Sequence, residues 1–398
     1  MVLRWMTRAP LALAALLAAC TPTTGPAPGG GGPICAEAGI FRPGAATFAF
    51  AGDVMAHGLI QQDAAGRPDG FAPALAPVAP FLRRADVTVA NLETPIARDV
   101  LPGGRDAGTA APPADGRVYS DYPQFNAHPS FAAALAGAGV DVAQTANNHA
   151  LDRGPLGVDR TLEALSAAGL RATGTVPRGG AGPWHSTVQT PVGRVALLAC
   201  TWGVNGLPDP AAQALRCYGG SPSVPSLIAQ LAADPAIDAV ILLPHWGQEY
   251  SRTPDAQQRR LARAAIEAGA AAVIGAHPHV LQPVEEITAA DGRRGFVAYS
   301  LGNFLSSQWS LDRRTGAILY TDLVRDGQGR VVAMPPRLLP TRVNRYVGTG
   351  VTVTPAALVS DGAASIAHAA GVVGAARLVN PSDFGIAAQH PGGAACAS

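Results

Sequence analysis

Short apolar runs alternate with amphipathic stretches along most of this chain, and polar residues collect where each apolar run stops. Residues 47–51, 86–90, 140–144, 194–200, 236–243, 270–274 and 295–300 have the length and composition of buried strands. Between them, residues 129–138, 155–168, 227–232 and 255–268 read as helices. Leu156, Leu162 and Leu165 mark the inner face of one, and Leu261, Ala265 and Ile266 that of another. A proline opens the first of these helices, and Gly137 and Gly139 close it. Strand followed by helix, repeated, predicts an α/β fold. Residues 101–116, rich in Gly, Pro and Ala, and residues 206–225 read as long loops. From about Thr315 the pattern becomes strand-like alternation, which predicts a hairpin over 315–324 and 331–339 turned at Asp326-Gly327. Beyond Val351 the sequence is rich in Ala, Gly and Ser and offers no site.

The first twenty residues stand apart. Arg4 and Arg8 precede an apolar run over 11–19, too short for a membrane-spanning helix of about 20 residues. The run ends Leu17-Ala18-Ala19-Cys20, as a bacterial lipoprotein signal does, and predicts an exported chain tethered by lipid on Cys20. Ordinary secretory cleavage is the alternative, and export follows from either. Residues 21–45 form a Pro/Gly-rich linker, 46–314 the α/β domain and 315–398 a C-terminal extension. Setting Cys20 aside leaves Cys35, Cys200, Cys217 and Cys396. An even number in an oxidising compartment suggests two disulfides, with Cys200–Cys217 and Cys35–Cys396 the preferred pairing of three; free buried thiols are the alternative.

Of the whole, 48% is hydrophobic and 14% charged, enough for a large core. A formal net charge of +1 argues against a nucleic-acid binder that works by bulk electrostatics. The chemistry lies instead at the strand ends, at Asp53, Glu93, Asn148 with His149, His245, His277 with His279, and Asn303. In α/β folds such ends can share one edge. Pro278 biases His277 toward extended backbone, so alternation would aim His277 and His279 at one point. Mixed carboxylate, amide and imidazole donors suit Zn, Mn or Fe rather than Ca. A shared carboxylate could bridge two such ions about 3.5–4 Å apart, leaving His149 as a general acid.

Six stretches together resemble the CapA family of capsule and poly-γ-glutamate synthesis proteins, within the calcineurin-like metallophosphoesterases. They are Gly52-Asp53-Val54-Met55, Asn91-Leu92-Glu93, Ala146-Asn147-Asn148-His149 with Asp152 and Gly154, His245-Trp246-Gly247 with Glu249-Tyr250, Gly275-Ala276-His277-Pro278-His279-Val280 with Gln282, and Tyr299-Ser300-Leu301-Gly302-Asn303-Phe304. The resemblance implies a four-layer α/β sandwich with a small C-terminal extension. It implies a role in making, anchoring or releasing an anionic extracellular polymer, beside other capsule-synthesis proteins and the membrane. It places Asp53, Glu93, Asn148, His245, His277 and His279 at positions holding one or two divalent ions, with His149 as the acid. Asn91, Asn147, Asp152, Glu249 and Asn303 would support the ligands or touch substrate. Two positions depart from the phosphoesterase pattern. Met55 stands where a histidine follows the first aspartate by two, with His57 two residues further on, and Glu93 replaces an aspartate. Hydrolase or transferase, polymer-binding scaffold and general exported phosphoesterase all remain open at this level.

Overall fold

The computed structural model describes residues 42–180, 182–346 and 350–386. Cys20, the linker to residue 41, Cys35 and Cys396 lie outside the described residues. The first half of the chain runs β1 (Ala46–Val54), α1 (Gly58–Ala65), α2 (Ala72–Leu75), α3 (Ala79–Leu82), β2 (Val87–Leu92), β3 (Val100–Leu101), β4 (Arg105–Asp106), α4 (Ser130–Ala138), β5 (Val142–Gln144), α5 (Gly154–Ala167), β6 (Arg171–Thr173), β7 (His185–Thr190) and β8 (Gly193–Thr201). The second half runs α6 (Val224–Ala233), β9 (Ala239–His245), α7 (Ala256–Ala268), β10 (Ala272–Ile274), β11 (Val284–Thr288), β12 (Arg294–Ala298), β13 (Asn303–Leu305), β14 (Thr315–Arg325), β15 (Val331–Ala333), β16 (Arg337–Tyr346), β17 (Gly350–Pro355) and α8 (Ala363–Val373).

Two sheets result. One has the order β17-β16-β14-β1-β2-β5-β6, with β13 on the end of β1 and β15 on β14; the other has the order β11-β12-β10-β9-β8-β7. In the first, β1, β2, β5 and β6 are parallel. In the second, β8, β9, β10 and β12 are parallel. Alternation along each strand sorts its side chains into layers. Phe48, Phe50, Val87 and Val89 of the first sheet meet Val195, Leu197, Ile241 and Leu243 of the second. The opposite residues of the first sheet, among them Ala49, Ala51, Ala90 and Leu92, pack on Ile60, Leu75, Phe131 and Leu165 of the helices. Ala196, Leu198, Val240 and Leu242 pack on Ile228 of α6 and on Leu261 and Ile266 of α7. Helix, sheet, sheet, helix is the four-layer sandwich expected.

The helices begin and end where their side chains allow. Ser223 caps α6 through the Ser226 N–H, and Asp255 with Gln258 forms a capping box on α7. Gly139, at φ 101°, ends α4 in the left-handed region that suits glycine.

Two local expectations change. The segment from Thr315, read as an extension, supplies strands to the first sheet: β14 pairs antiparallel with β1, Phe48 opposite Thr321. The second strand of the expected hairpin is two strands. Pro335 and Pro336 lack the N–H that a ladder needs, so β15 stops at Ala333; β16 then pairs with β14 on its own account.

Candidate metal centre

The parallel strands of both sheets end on one edge, and their polar residues meet there. Register sets Asp53 opposite Asn91 of β2 and Asn303 of β13. Across the sandwich, His245 pairs with Thr201 and bridges to Ala276, which precedes the His277–His279 bend. Two glycines let the backbones close to this distance. A Cβ at Gly52 would lie 1.9 Å from the Gly302 carbonyl oxygen, and one at Gly275 would lie 2.1 Å from that of Tyr299.

His277 and His279 do converge, but not by strand alternation. Residues 277–280 form a bend in which His277 has φ 99° and His279 φ 59°. Pro278 disfavours the right-handed helical region for His277 without forcing it to extend. The bend is pinned by the His277 N–H donating to Asp53 Oδ1 (3.2 Å) and the Tyr250 N–H donating to the Pro278 carbonyl (2.7 Å). The two imidazole centroids end up 6.0 Å apart.

Three sets of side chains bring potential ligand atoms within 4.8 Å of one another: Glu93, His245 and His277; Asp53, Glu93 and His279; and Glu249, His277 and His279. Glu93 belongs to the first two, as a bridging carboxylate would. Glu93 Oε1 lies 3.4 Å from His245 Nε2 and 3.6 Å from His279 Nε2, and Asn148 Oδ1 lies 2.9 Å from His245 Nε2. Donors about 2.0–2.2 Å from a common ion sit about 2.8–3.6 Å from each other, so these spacings fit a divalent cation.

Unsatisfied atoms point the same way. Asp53 Oδ2, Glu93 Oε1 and His277 Nδ1 are buried without a hydrogen-bond partner, a costly state that a cation would relieve. Asp53 Oδ2 does approach His279 Nδ1 to 3.1 Å, but without hydrogen-bond alignment. Burial, then the charges of Asp53 and Glu249, push the Glu93 carboxyl well above its ordinary range. For Asp53 burial acts upward, but His279, Asn91 and the His277 N–H outweigh it and hold the carboxyl low. Burial and neighbouring imidazoles keep His245 and His277 well below the usual histidine range, as the neutral rings that bind metals.

Amides orient these ligands. Asn303 donates Nδ2 to the Arg313 carbonyl (2.8 Å) and the His279 carbonyl (3.3 Å), which turns its Oδ1 toward His279 Nδ1 (3.1 Å). His279 Nδ1 therefore carries the proton, and Nε2 holds the lone pair. Asn91 donates to Asp53 Oδ1 (2.7 Å) and faces His245 Nδ1 (3.2 Å). Asn147 donates to the Leu92 carbonyl and accepts from the His149 N–H, placing His149 beside the centre. Asp152 Oδ2 lies 2.7 Å from His149 Nδ1 and also accepts from the Phe125 N–H. The ring of Phe125 packs edge-on against His149.

His57 does not fill the place left by Met55. Its Nδ1 accepts from the Ser307 N–H, its ring packs against Phe125, and it belongs to none of the three ligand sets. Burial lowers its pKa to about 4. Two contributors escaped the sequence reading. Asn205 accepts from Asn148 Nδ2 (3.2 Å) and so aims Asn148 Oδ1 at His245. Trp202, 43% exposed, lies with its ring 5.6 Å from that of His277. Trp202 follows the end of β8, so the strand-end rule could have found it; Asn205 sits in a loop with no local signal.

Known proteins resemble the chain over the part that carries this centre. The model of the family described as bacterial capsule synthesis protein PGA_cap matches residues 47–308, which contain every residue of the centre. The PGA biosynthesis protein CapA of Bacillus subtilis (strain 168) is 32% identical over 206 residues, 49% of this chain and 50% of that protein. The capsule biosynthesis protein CapA of Bacillus anthracis is 29% identical over 253 residues, 61% of this chain and 56% of that protein. The chain thus spans about half the length of the curated relatives it matches. Among solved structures, the NAD nucleotidase NadN of Haemophilus influenzae is 11% identical at TM-score 0.46, over 84% of this chain and 63% of that one, too distant to inform the site. The chain belongs to the bacterial capsule synthesis protein PGA_cap family.

Proposed function

We propose that this protein is exported, tethered to the membrane by lipid on Cys20, and takes part in the synthesis, anchoring or release of an anionic capsular polymer. Its working part is a centre for one or two divalent ions, Mn, Zn or Fe. Asp53, Glu93 and His279 would hold one position, and Glu93, Asn148, His245 and His277 the other. The observation that carries this reading is the sharing of Glu93 between two ligand sets whose buried atoms lack partners.

A bound divalent ion supplies Lewis acidity and lowers the pKa of coordinated water. The chain's own residues do the rest. Asp152 engages His149 Nδ1 and leaves the opposite ring nitrogen to give a proton to a leaving group. Phe125 holds the plane of that ring. Asn303, Asn91 and Asn205 keep the ligands aimed before any ion arrives. This is the equipment of a metal-dependent hydrolase or transferase. A second reading, a polymer-binding scaffold without turnover, draws on Met55, which leaves the Asp53 position with one imidazole where the phosphoesterase pattern has two.

Elemental analysis of the purified protein tests the reading. We expect divalent metal in the wild type and its loss in Asp53→Ala and His277→Ala, together with a defect in cell-associated polymer. A metal-free wild type, or variants with an intact polymer phenotype, would sink it. Chelator-sensitive hydrolysis that disappears in His149→Ala would exclude the scaffold.

A further inference from the structure

The third ligand set differs from the other two in where its carboxylate lies. Asp53 and Glu93 are fully buried, whereas Glu249 is exposed, yet a Glu249 oxygen and a nitrogen of each of His277 and His279 lie within 4.8 Å of one another. Glu249 therefore faces both ion positions from the solvent side. Its segment is fixed at both ends. Trp246 is buried with its indole N–H on the Tyr299 carbonyl (2.9 Å), and the Tyr250 N–H is held by the Pro278 carbonyl. Burial raises the pKa of the neighbouring Tyr250 hydroxyl, and the Glu249 carboxylate adds to this by charge and hydrogen bonding. The guanidinium carbon of Arg313 lies 3.6 Å from the ring centroid of Tyr250, whose ring is 5.9 Å from that of His279. Glu249 thus brings negative charge beside His277 and His279, and Arg313 brings positive charge onto the ring of Tyr250.

We propose that Glu249 determines specificity at this centre: its fixed charge turns away an electrophile that is itself anionic, such as a phosphoryl group, and admits an uncharged carbonyl whose own carboxylates lie off to the side, within reach of Arg313. The proposal rests on the ion-site reading above. A site that takes phosphoryl groups needs excess positive charge for the incoming oxygens, and a third carboxylate at the mouth lowers that excess by one unit. A polymer charged at each reacting phosphorus atom meets Glu249 head-on. One joined through amide or ester carbonyls and charged on its branches does not.

Inorganic phosphate binding to manganese-loaded protein, followed by calorimetry, tests this with no substrate needed. We expect Glu249→Gln to bind phosphate about tenfold more tightly than wild type at 50 mM salt, from the Coulomb energy of one charge at about 5 Å in a partly solvated site. Glu249→Ala should gain equally, and both gains should shrink at 1 M salt as screening sets in. Metal content and melting temperature should match wild type. Phosphate affinity unchanged within twofold in Glu249→Gln would overturn the proposal, as would a gain confined to Glu249→Ala, which would mean space rather than charge. Loss of an ion in Glu249→Gln would make the residue a ligand and equally defeat the proposal. A wild type that takes up no ion would defeat both this inference and the reading beneath it, whereas the other failures leave that reading intact.

Discussion

His277 and His279 occupy left-handed backbone at φ 99° and 59°, where side chains other than glycine cost roughly 1–3 kcal/mol each. Such strain persists because Asp53, Pro278 and Tyr250 over-determine the bend. The pair was legible in the sequence as a pair, but its backbone was not, because the contacts that impose it come from residues 224 positions and 28 positions away. The same limit hid Asn205, whose partner Asn148 is 57 residues distant. Asn303 was legible as a strand-end residue, and its contacts show why it matters. It is fully buried, accepts from the Nδ1–H of His279 and donates from its amide to the His279 and Arg313 carbonyls. Asn303→Ala should lower divalent-ion affinity about 10–100-fold, the usual cost of losing such a supporting partner. Ion titration against a wild-type control would check this, with unchanged far-UV circular dichroism as evidence that the fold survives.

At the scale of elements, the strand-end rule worked because β1, β2 and β5 run parallel in one sheet and β8, β9 and β10 in the other. Their last residues therefore share an edge even when far apart in the chain. Helices α1 to α3 escaped notice because two of them have only 4 residues, too few for a helical period to show. The Cys200–Cys217 bridge, one half of the expected pairing, is present with its Cα atoms 5.0 Å apart. It closes the loop that carries Trp202 and Asn205. Closing a 17-residue separation stabilises by about 3 kcal/mol through the unfolded state. The double variant Cys200→Ala/Cys217→Ala should therefore lose about 2–4 kcal/mol in denaturant unfolding. It should also bind ions more weakly, since Asn205 would no longer be held against Asn148. A stability loss without any change in ion affinity would show that the loop keeps Asn205 in place unaided.

Across the whole molecule, the part of the chain matched by the family model stops at residue 308, yet the first sheet does not. β14 lies along β1, the strand that delivers Asp53, and puts Ala317 and Leu319 into the layer between the sheets. β16 and β17 then extend the sheet over α1 and α2, with Leu339, Val343, Val351 and Val353 in the core beneath the helices. Alternation from Thr315 did announce strands, but periodicity does not say which neighbour a strand will choose, so the composition change read as a boundary. A chain ending at residue 314 would expose one edge of β1 and the apolar surfaces of Phe48, Phe50, Ala49 and Ala51 that β14 helps to cover. We expect it to aggregate and to give no cooperative thermal transition, while a chain ending at residue 386 melts cooperatively and takes up ions. A 314-residue chain that melted cooperatively and bound metal would mean that β14 to β17 are an addition to a self-sufficient core. The aggregated outcome would mean that the metal centre depends on strands that contribute no ligand to it.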